Sequence, residues 1–242
     1  MTDRARLNDP EVVSVEYESE AGLLGRRAAY RFAEGPNAVE MTFEAVAEVS
    51  PQRVLEVGCG PGELAARIAQ ELAAEVVAVD SSPAMVELAR ALGVDARQAD
   101  AQELPFGDAE FDCAVAAWML YHVPDVDRAL AELARVLRPG WRLVAVTNHL
   151  DHLRELRELV GLPPRHASPF SGENGEELLS RHFDAVEARD AGGTIRFPNR
   201  DEAQSYVEAS RTLFGASGEI PPFEGPLVVH RHAVVFVART RS

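Results

Sequence analysis

Apolar positions along the chain fall into short solid runs, separated by stretches in which they recur every three to four residues. Val54, Leu55 and Val57 form the first solid run, the pattern of a strand buried on both faces. Helical spacing follows over about residues 63–72, and a second run over 75–79 ends on Asp80. Ser81-Ser82-Pro83 reads as a helix start, a serine cap with proline at the first helical position, and Gly93 ends that helix. Residues 94–98, 111–116 and 141–147 make three more strands. The last follows a helix over 127–137 that Arg138-Pro139-Gly140 stops. Strands alternating with helices predict a parallel, doubly wound sheet whose ligands lie beyond the carboxyl ends of the strands.

The flanks are less regular. Residues 10–33 carry a helical stripe of Tyr17, Leu23, Leu24, Tyr30 and Phe32; Gly35-Pro36 breaks it, and 38–49 is a second amphipathic helix. Beyond the fifth strand, 151–160 and 173–182 read as helices around a proline-rich loop. Residues 183–197 hold a sixth strand broken by Gly192-Gly193, and 200–214 a further helix. Residues 227–238 form a last strand, expected antiparallel beside the sixth.

A length of 242 residues suits one large domain, or one domain with a cap. The net charge of −15 repels a nucleic-acid backbone, so no nucleic-acid partner is expected. All 24 basic residues are arginine, which removes a P-loop lysine and Schiff-base chemistry together. Cys59 and Cys113 are too few for a disulfide framework. A polar N-terminus and the lack of a run of about 18 apolar residues predict a cytoplasmic protein without a membrane partner.

Chemistry concentrates in residues 53–62. After the first strand, Gly58, Gly60 and Gly62 turn the chain sharply into a helix, a design that brings backbone close to a nucleotide-like ligand. Glu56 would repel a pyrophosphate there and could pair with a ligand that carries a cation. The stretch Glu56-Val57-Gly58-Cys59-Gly60-Pro61-Gly62 resembles motif I of the class I S-adenosylmethionine-dependent methyltransferases. The nearest look-alikes are the small-molecule branch (type 11) that includes ubiquinone- and menaquinone-pathway enzymes. The resemblance covers roughly residues 53–148.

It implies a Rossmann-like sheet of seven strands, mostly parallel with an antiparallel last strand, plus helical cap segments. It implies a lid over residues 1–50, with Tyr17, Arg26 and Arg27 as candidates to touch ligand, and a cofactor-binding core over 51–148. Residues 149–242 would complete the same domain, with cap insertions at about 149–180 and 198–226. The cofactor would be S-adenosylmethionine, the product S-adenosylhomocysteine. The implied cofactor contacts are Glu56, Gly58, Cys59, Gly60 and Gly62 in the turn; Asp80, Ser81 and Met85 after strand two; Asp100, Ala101 and Gln102 after strand three; and Ala117 and Trp118 after strand four. Asp80 suits both ribose hydroxyls.

Methyl transfer to a small molecule, at oxygen or carbon, is the implied reaction. A base is needed only where the acceptor has a proton to lose. His149, just past the fifth strand, is the first candidate and His122 the second. The pairs His149/His152 and His230/His232 lack evident acidic partners, so no metal is expected. No Asn-Pro-Pro-aromatic segment and no Gly-x-Ser-x-Gly elbow is present. Two other readings stay open: a cofactor-binding protein without activity, and a nicotinamide-dependent reductase, although Glu63 stands where a dinucleotide fingerprint needs glycine.

Overall fold

The computed structural model describes residues 28–210, 214 and 218–241, together with residues 8, 13 and 25. Tyr17, Leu23, Leu24, Arg26 and Arg27 lie outside the described residues. The first half runs β1 (Ala33–Glu34), α1 (Ala38–Ala47), β2 (Arg53–Val57), α2 (Glu63–Leu72), β3 (Glu75–Asp80), α3 (Pro83–Ala91), β4 (Asp95–Gln98) and β5 (Phe111–Ala117). Then come α4 (Val126–Val136), β6 (Leu137–Asn148), α5 (Arg154–Leu159), α6 (Gly175–Leu179), β7 (Ala185–Asp190), β8 (Gly193–Phe197), α7 (Arg200–Glu208), β9 (Leu227–Arg231) and β10 (Ala233–Arg239).

Seven strands form the main sheet in the order β4-β3-β2-β5-β6-β10-β7, and β10 alone runs antiparallel to its neighbours. This is the Rossmann-like sheet that the resemblance implies. Apolar content sets the order: β2 and β5, buried along nearly their whole length, take the centre. Helices cover both faces with apolar stripes. On α4 the buried residues are Val126, Ala129, Leu130, Leu133 and Val136. Side-chain caps fix where helices begin. Asn37 accepts from the amides of Val39 and Glu40, Ser82 from Met85, and Asp125 from Arg128.

Three expectations are corrected. Arg138-Pro139-Gly140 is not a stop before the fifth strand; it lies inside β6, which pairs Leu137 with Phe111 and then resumes at Arg142 opposite Cys113. The excursion is held by Asp112, 1% exposed, whose carboxylate pairs with Arg138 and accepts the amides of Gln52 and Arg53 at 2.9 and 3.0 Å. The last strand is two strands: β10 stays in the main sheet, while β9 joins β8 and β1 in a separate three-stranded sheet. Gly192-Gly193 likewise divides β7 from β8 rather than interrupting one strand.

The switch between sheets falls on His232. Its amide donates to His152 Nδ1 at 3.0 Å and its carbonyl accepts from the His149 amide at 2.9 Å, so neither group is left unsatisfied where the ladders part. The small sheet, α5 and α7 share a core of their own around Leu156, Phe197, Tyr206 and Phe214. Phe197 and Phe214 are buried in it beside Tyr206, with ring centroids 5.8 and 6.2 Å from that tyrosine.

Candidate active site

A cavity of about 1130 Å³ opens at the carboxyl ends of β2, β3, β4, β5 and β6, the end to which a doubly wound sheet directs its ligands. Its walls include Glu56, Gly58, Cys59 and Gly60 of the first turn, Asp80 and Ser81, Asp100, Ala101 and Gln102, and Ala117 and Trp118. Further walls are His122, Asn148, His152, Tyr206 and Arg231, with Tyr30 and Asn37 ahead of α1 and Ala38 at its start. That volume exceeds what one drug-sized ligand fills, leaving room for two reactants.

The glycine turn has an unusual hydrogen-bond account. The amides of Gly58 and Cys59 both donate back to the Val79 carbonyl, at 2.8 and 3.1 Å. The Gly60 amide donates to Asp80 Oδ2 at 2.9 Å, and the Gly62 amide to the Cys59 carbonyl at 3.1 Å. None of these four donors is left over for a phosphate, and two carboxylates face the same space. A pyrophosphate therefore finds no nest of amide donors, and the dinucleotide reading loses its physical basis.

Glu56 is the sharpest feature. It is 3% exposed, it lines the cavity, and its Oε2 is buried without a hydrogen-bond partner. Burial pushes its carboxyl up to about 8, the amide of Ala65 opposes that rise, and the charge of Asp80 adds to it. A ligand cation placed beside it would both ionise and satisfy it. Burial also raises the Asp80 carboxyl, against the opposing amides of Ser82, Gly60 and Ser81. Asp80 uses one lone pair on each oxygen for the Gly60 and Ser82 amides and keeps others for ligand hydroxyls. Asp100 accepts from the Gln102 amide and side chain at 2.9 and 3.0 Å, while Gln102 Oε1 accepts the Asp125 amide, tying the third loop to the start of α4.

Trp118 adopts φ +54°, rare for a bulky residue, with its indole Nε1 donating to Asn148 Oδ1 at 3.3 Å. His122 lies on the cavity wall in a single 3-10 turn, and its ring meets that of Tyr121 edge to face at 4.4 Å. Cys59 also lines the cavity, and burial raises its thiol well above the ordinary range, so it stays protonated.

Three expected residues stand off the cavity wall. Gly62, at φ +81°, is needed for packing: a Cβ there would sit 2.6 Å from the Ala89 Cβ on α3. Met85 is fully buried on α3, inside the layer behind the wall. His149 turns away; its ring covers Gly172, and Nδ1 pairs with Glu173 Oε1 at 3.2 Å. Besides His122, the histidine that reaches the cavity is His152. Because its Nδ1 accepts the His232 amide, the ring proton sits on Nε2. Burial depresses it to about 3, the nearby charge of Arg165 adding to the effect, so it is neutral across the physiological range. Its place depends on the switch at His232, which no local pattern announces.

Residues 55–145 match the family model described as a methyltransferase domain. The chain is 41% identical over 183 residues to a demethylmenaquinone methyltransferase of Thermus thermophilus, spanning 71% of this chain and 76% of that protein. It belongs to the class I S-adenosylmethionine-dependent methyltransferases, in their type 11 branch. S-adenosylmethionine is accordingly its cofactor. An O-methyltransferase of Aspergillus sclerotiorum is 37% identical over 64% of this chain, but the chain spans only 65% of that relative's length. Among solved structures, a Burkholderia thailandensis 1,6-didemethyltoxoflavin-N1-methyltransferase with bound S-adenosylhomocysteine superposes with a TM-score of 0.58 at 22% identity, covering 96% of this chain and 87% of its own. That likeness extends to the fold. No helix of the described residues is long and apolar enough to cross a membrane.

Proposed function

We propose that the protein transfers a methyl group from S-adenosylmethionine to a small-molecule acceptor, at oxygen or carbon. The observation that carries the reading is Glu56: a buried carboxyl with one oxygen unpartnered, on the wall of a large cavity beside a turn without spare phosphate donors. When bound, the cofactor supplies a methyl group on a sulfur that is already an activated leaving group. The chain's own work is to orient the reactants and keep water out. Glu56 holds the ammonium, Asp80 the ribose hydroxyls, and Asp100, Ala101 and Gln102 the adenine. Ala117 and Trp118 would flank the methyl group of a bound cofactor, and the Trp118 indole, tied to Asn148, would help to keep water out.

In this reading residues 1–50 form the lid, 51–148 the cofactor-binding core, and 149–180 with 198–226 the acceptor cover. The protein works in the cytoplasm, without nucleic acid. Of the two proposed bases only His122 stands at the cavity.

Calorimetric titration with S-adenosylmethionine, S-adenosylhomocysteine and NADH tests the reading. Micromolar binding of both adenosyl compounds is expected, weakened by about tenfold or more in Asp80→Ala, with no binding of NADH. Binding of NADH alone would overturn it. An acceptor screen with tritiated methyl donor then separates an enzyme from a binding protein.

A further inference from the structure

The far end of the cavity has the opposite polarity to the end at Glu56. Arg231, the last residue of β9, lines the cavity and is 3% exposed. Backbone carbonyls hold its guanidinium: Nη1 donates to Ala191 at 3.3 Å, and Nη2 to Glu34 and Pro36 at 3.2 and 2.5 Å. Its Nε is buried without a hydrogen-bond partner, and no carboxylate among the described residues forms an ion pair with it.

The fold makes room for this group. A Cβ at Gly193 would come within 2.8 Å of Nη2 and 2.2 Å of the Glu34 carbonyl, so the break between β7 and β8 is also the cradle of the guanidinium. His152, beside it, is neutral and carries its proton on Nε2, so it faces the cavity with a donor and no base. The carbonyls and the Tyr30 ring, whose centroid lies 6.0 Å from the guanidinium carbon, carry no net charge, and a buried cation among such groups is costly unless something else brings a counter-charge. The chain carries 39 acidic residues, yet among the described residues none pairs with Arg231.

We propose that Arg231 and His152 bind an anionic acceptor, an aromatic carboxylate or an ionised acidic phenol, with its negative oxygen between Arg231 Nε and His152 Nε2. The identification of the occupant as a methyl acceptor rests on the function proposed above; the anion preference does not. An acceptor bound as its anion has no proton to lose, which fits a cavity wall where His152 presents a donor. Arg231 is a specificity residue, and the cofactor end of the cavity is independent of it.

The test measures affinity for acid–amide pairs by quenching of tryptophan fluorescence, with and without S-adenosylhomocysteine. The pairs are benzoate and benzamide, 1-hydroxy-2-naphthoate and its amide, and indole-3-acetate and its amide. At least one acid is expected to bind about tenfold tighter than its amide. Arg231→Gln should bring that ratio to within about twofold and leave S-adenosylhomocysteine binding unchanged, while Arg231→Lys keeps part of the preference. Equal affinity for every pair in the wild type, or no binding of any acid, overturns the proposal even if Arg231→Gln fails to fold. A retained preference in a folded Arg231→Gln protein overturns the assignment to Arg231. Loss of adenosyl binding in the wild type strikes the functional reading instead.

Discussion

At pH 7 Glu56 holds its proton, because burial has lifted its carboxyl to about 8. A cationic ligand beside it reverses that preference, so binding should expel the proton. With that value, about 0.9 of the sites are protonated at pH 7, and S-adenosylhomocysteine binding should release close to one proton. Titration in buffers of different ionisation enthalpy measures this directly. Glu56→Gln should release none and bind about tenfold more weakly or worse; unchanged proton release would separate Glu56 from the ligand's ammonium. The place of this residue on the cavity wall was legible in the sequence because a strand that leads into a glycine turn carries its last side chains to the ligand end of the sheet. His152 was not legible. A histidine in a leucine-rich segment carries no mark of its partner, and the partner here is an amide eighty residues away. His149, which does sit just past a strand end, turned out to brace Gly172 and Glu173.

Elements were read most reliably where both their faces are buried. β2, β3 and β5 announce themselves as solid apolar runs, and the residues that end them form the cavity rim. The errors lie where one backbone segment serves two sheets. Residues 227–239 alternate well enough to be one strand, and only the competing demands of β8 and β6 divide them at His232. The β6 excursion was hidden for a related reason: Pro139 and Gly140 signal a turn, while the force that keeps them within a strand comes from Asp112 on β5. Asp112 is thus a tie between three strands, through the Gln52 and Arg53 amides and the Arg138 guanidinium. Asp112→Ala should lower the unfolding free energy by about 1–3 kcal/mol, since it leaves two amides without their acceptor, while the half-exposed Arg138 turns to water. Asp112→Asn, which keeps an acceptor, should cost about half as much. Urea melts at constant slope check both, and a loss below about 0.5 kcal/mol in the alanine variant would remove this role.

For the whole molecule, the two ends of the cavity pull stability in opposite directions as pH changes. His152 is depressed from 6.5 to about 3, so the unfolded chain takes up a proton below 6.5 that the native state refuses. Its contribution is fully present above 6.5 and is lost as pH falls towards 3. Glu56 is raised from 4.5 to about 8, so its contribution is fully present below 4.5 and is lost as pH rises towards 8. Asp80, also raised, leans the same way as Glu56, and so does self-repulsion in a chain of charge −15. Between 4.5 and 6.5 the two main effects oppose each other, and the stability maximum belongs there. Each limb beyond that window can reach about 1.4 kcal/mol per pH unit. Thermal melts should show His152→Gln flattening the acid limb and Glu56→Gln the alkaline one. Saturating S-adenosylhomocysteine should also flatten the alkaline limb, because the ligand's ammonium stabilises the ionised carboxylate that the empty cavity does not. An alkaline limb unaltered by the ligand would mean that its ammonium lies away from Glu56, and the polarity assigned to the cavity would have to be reversed.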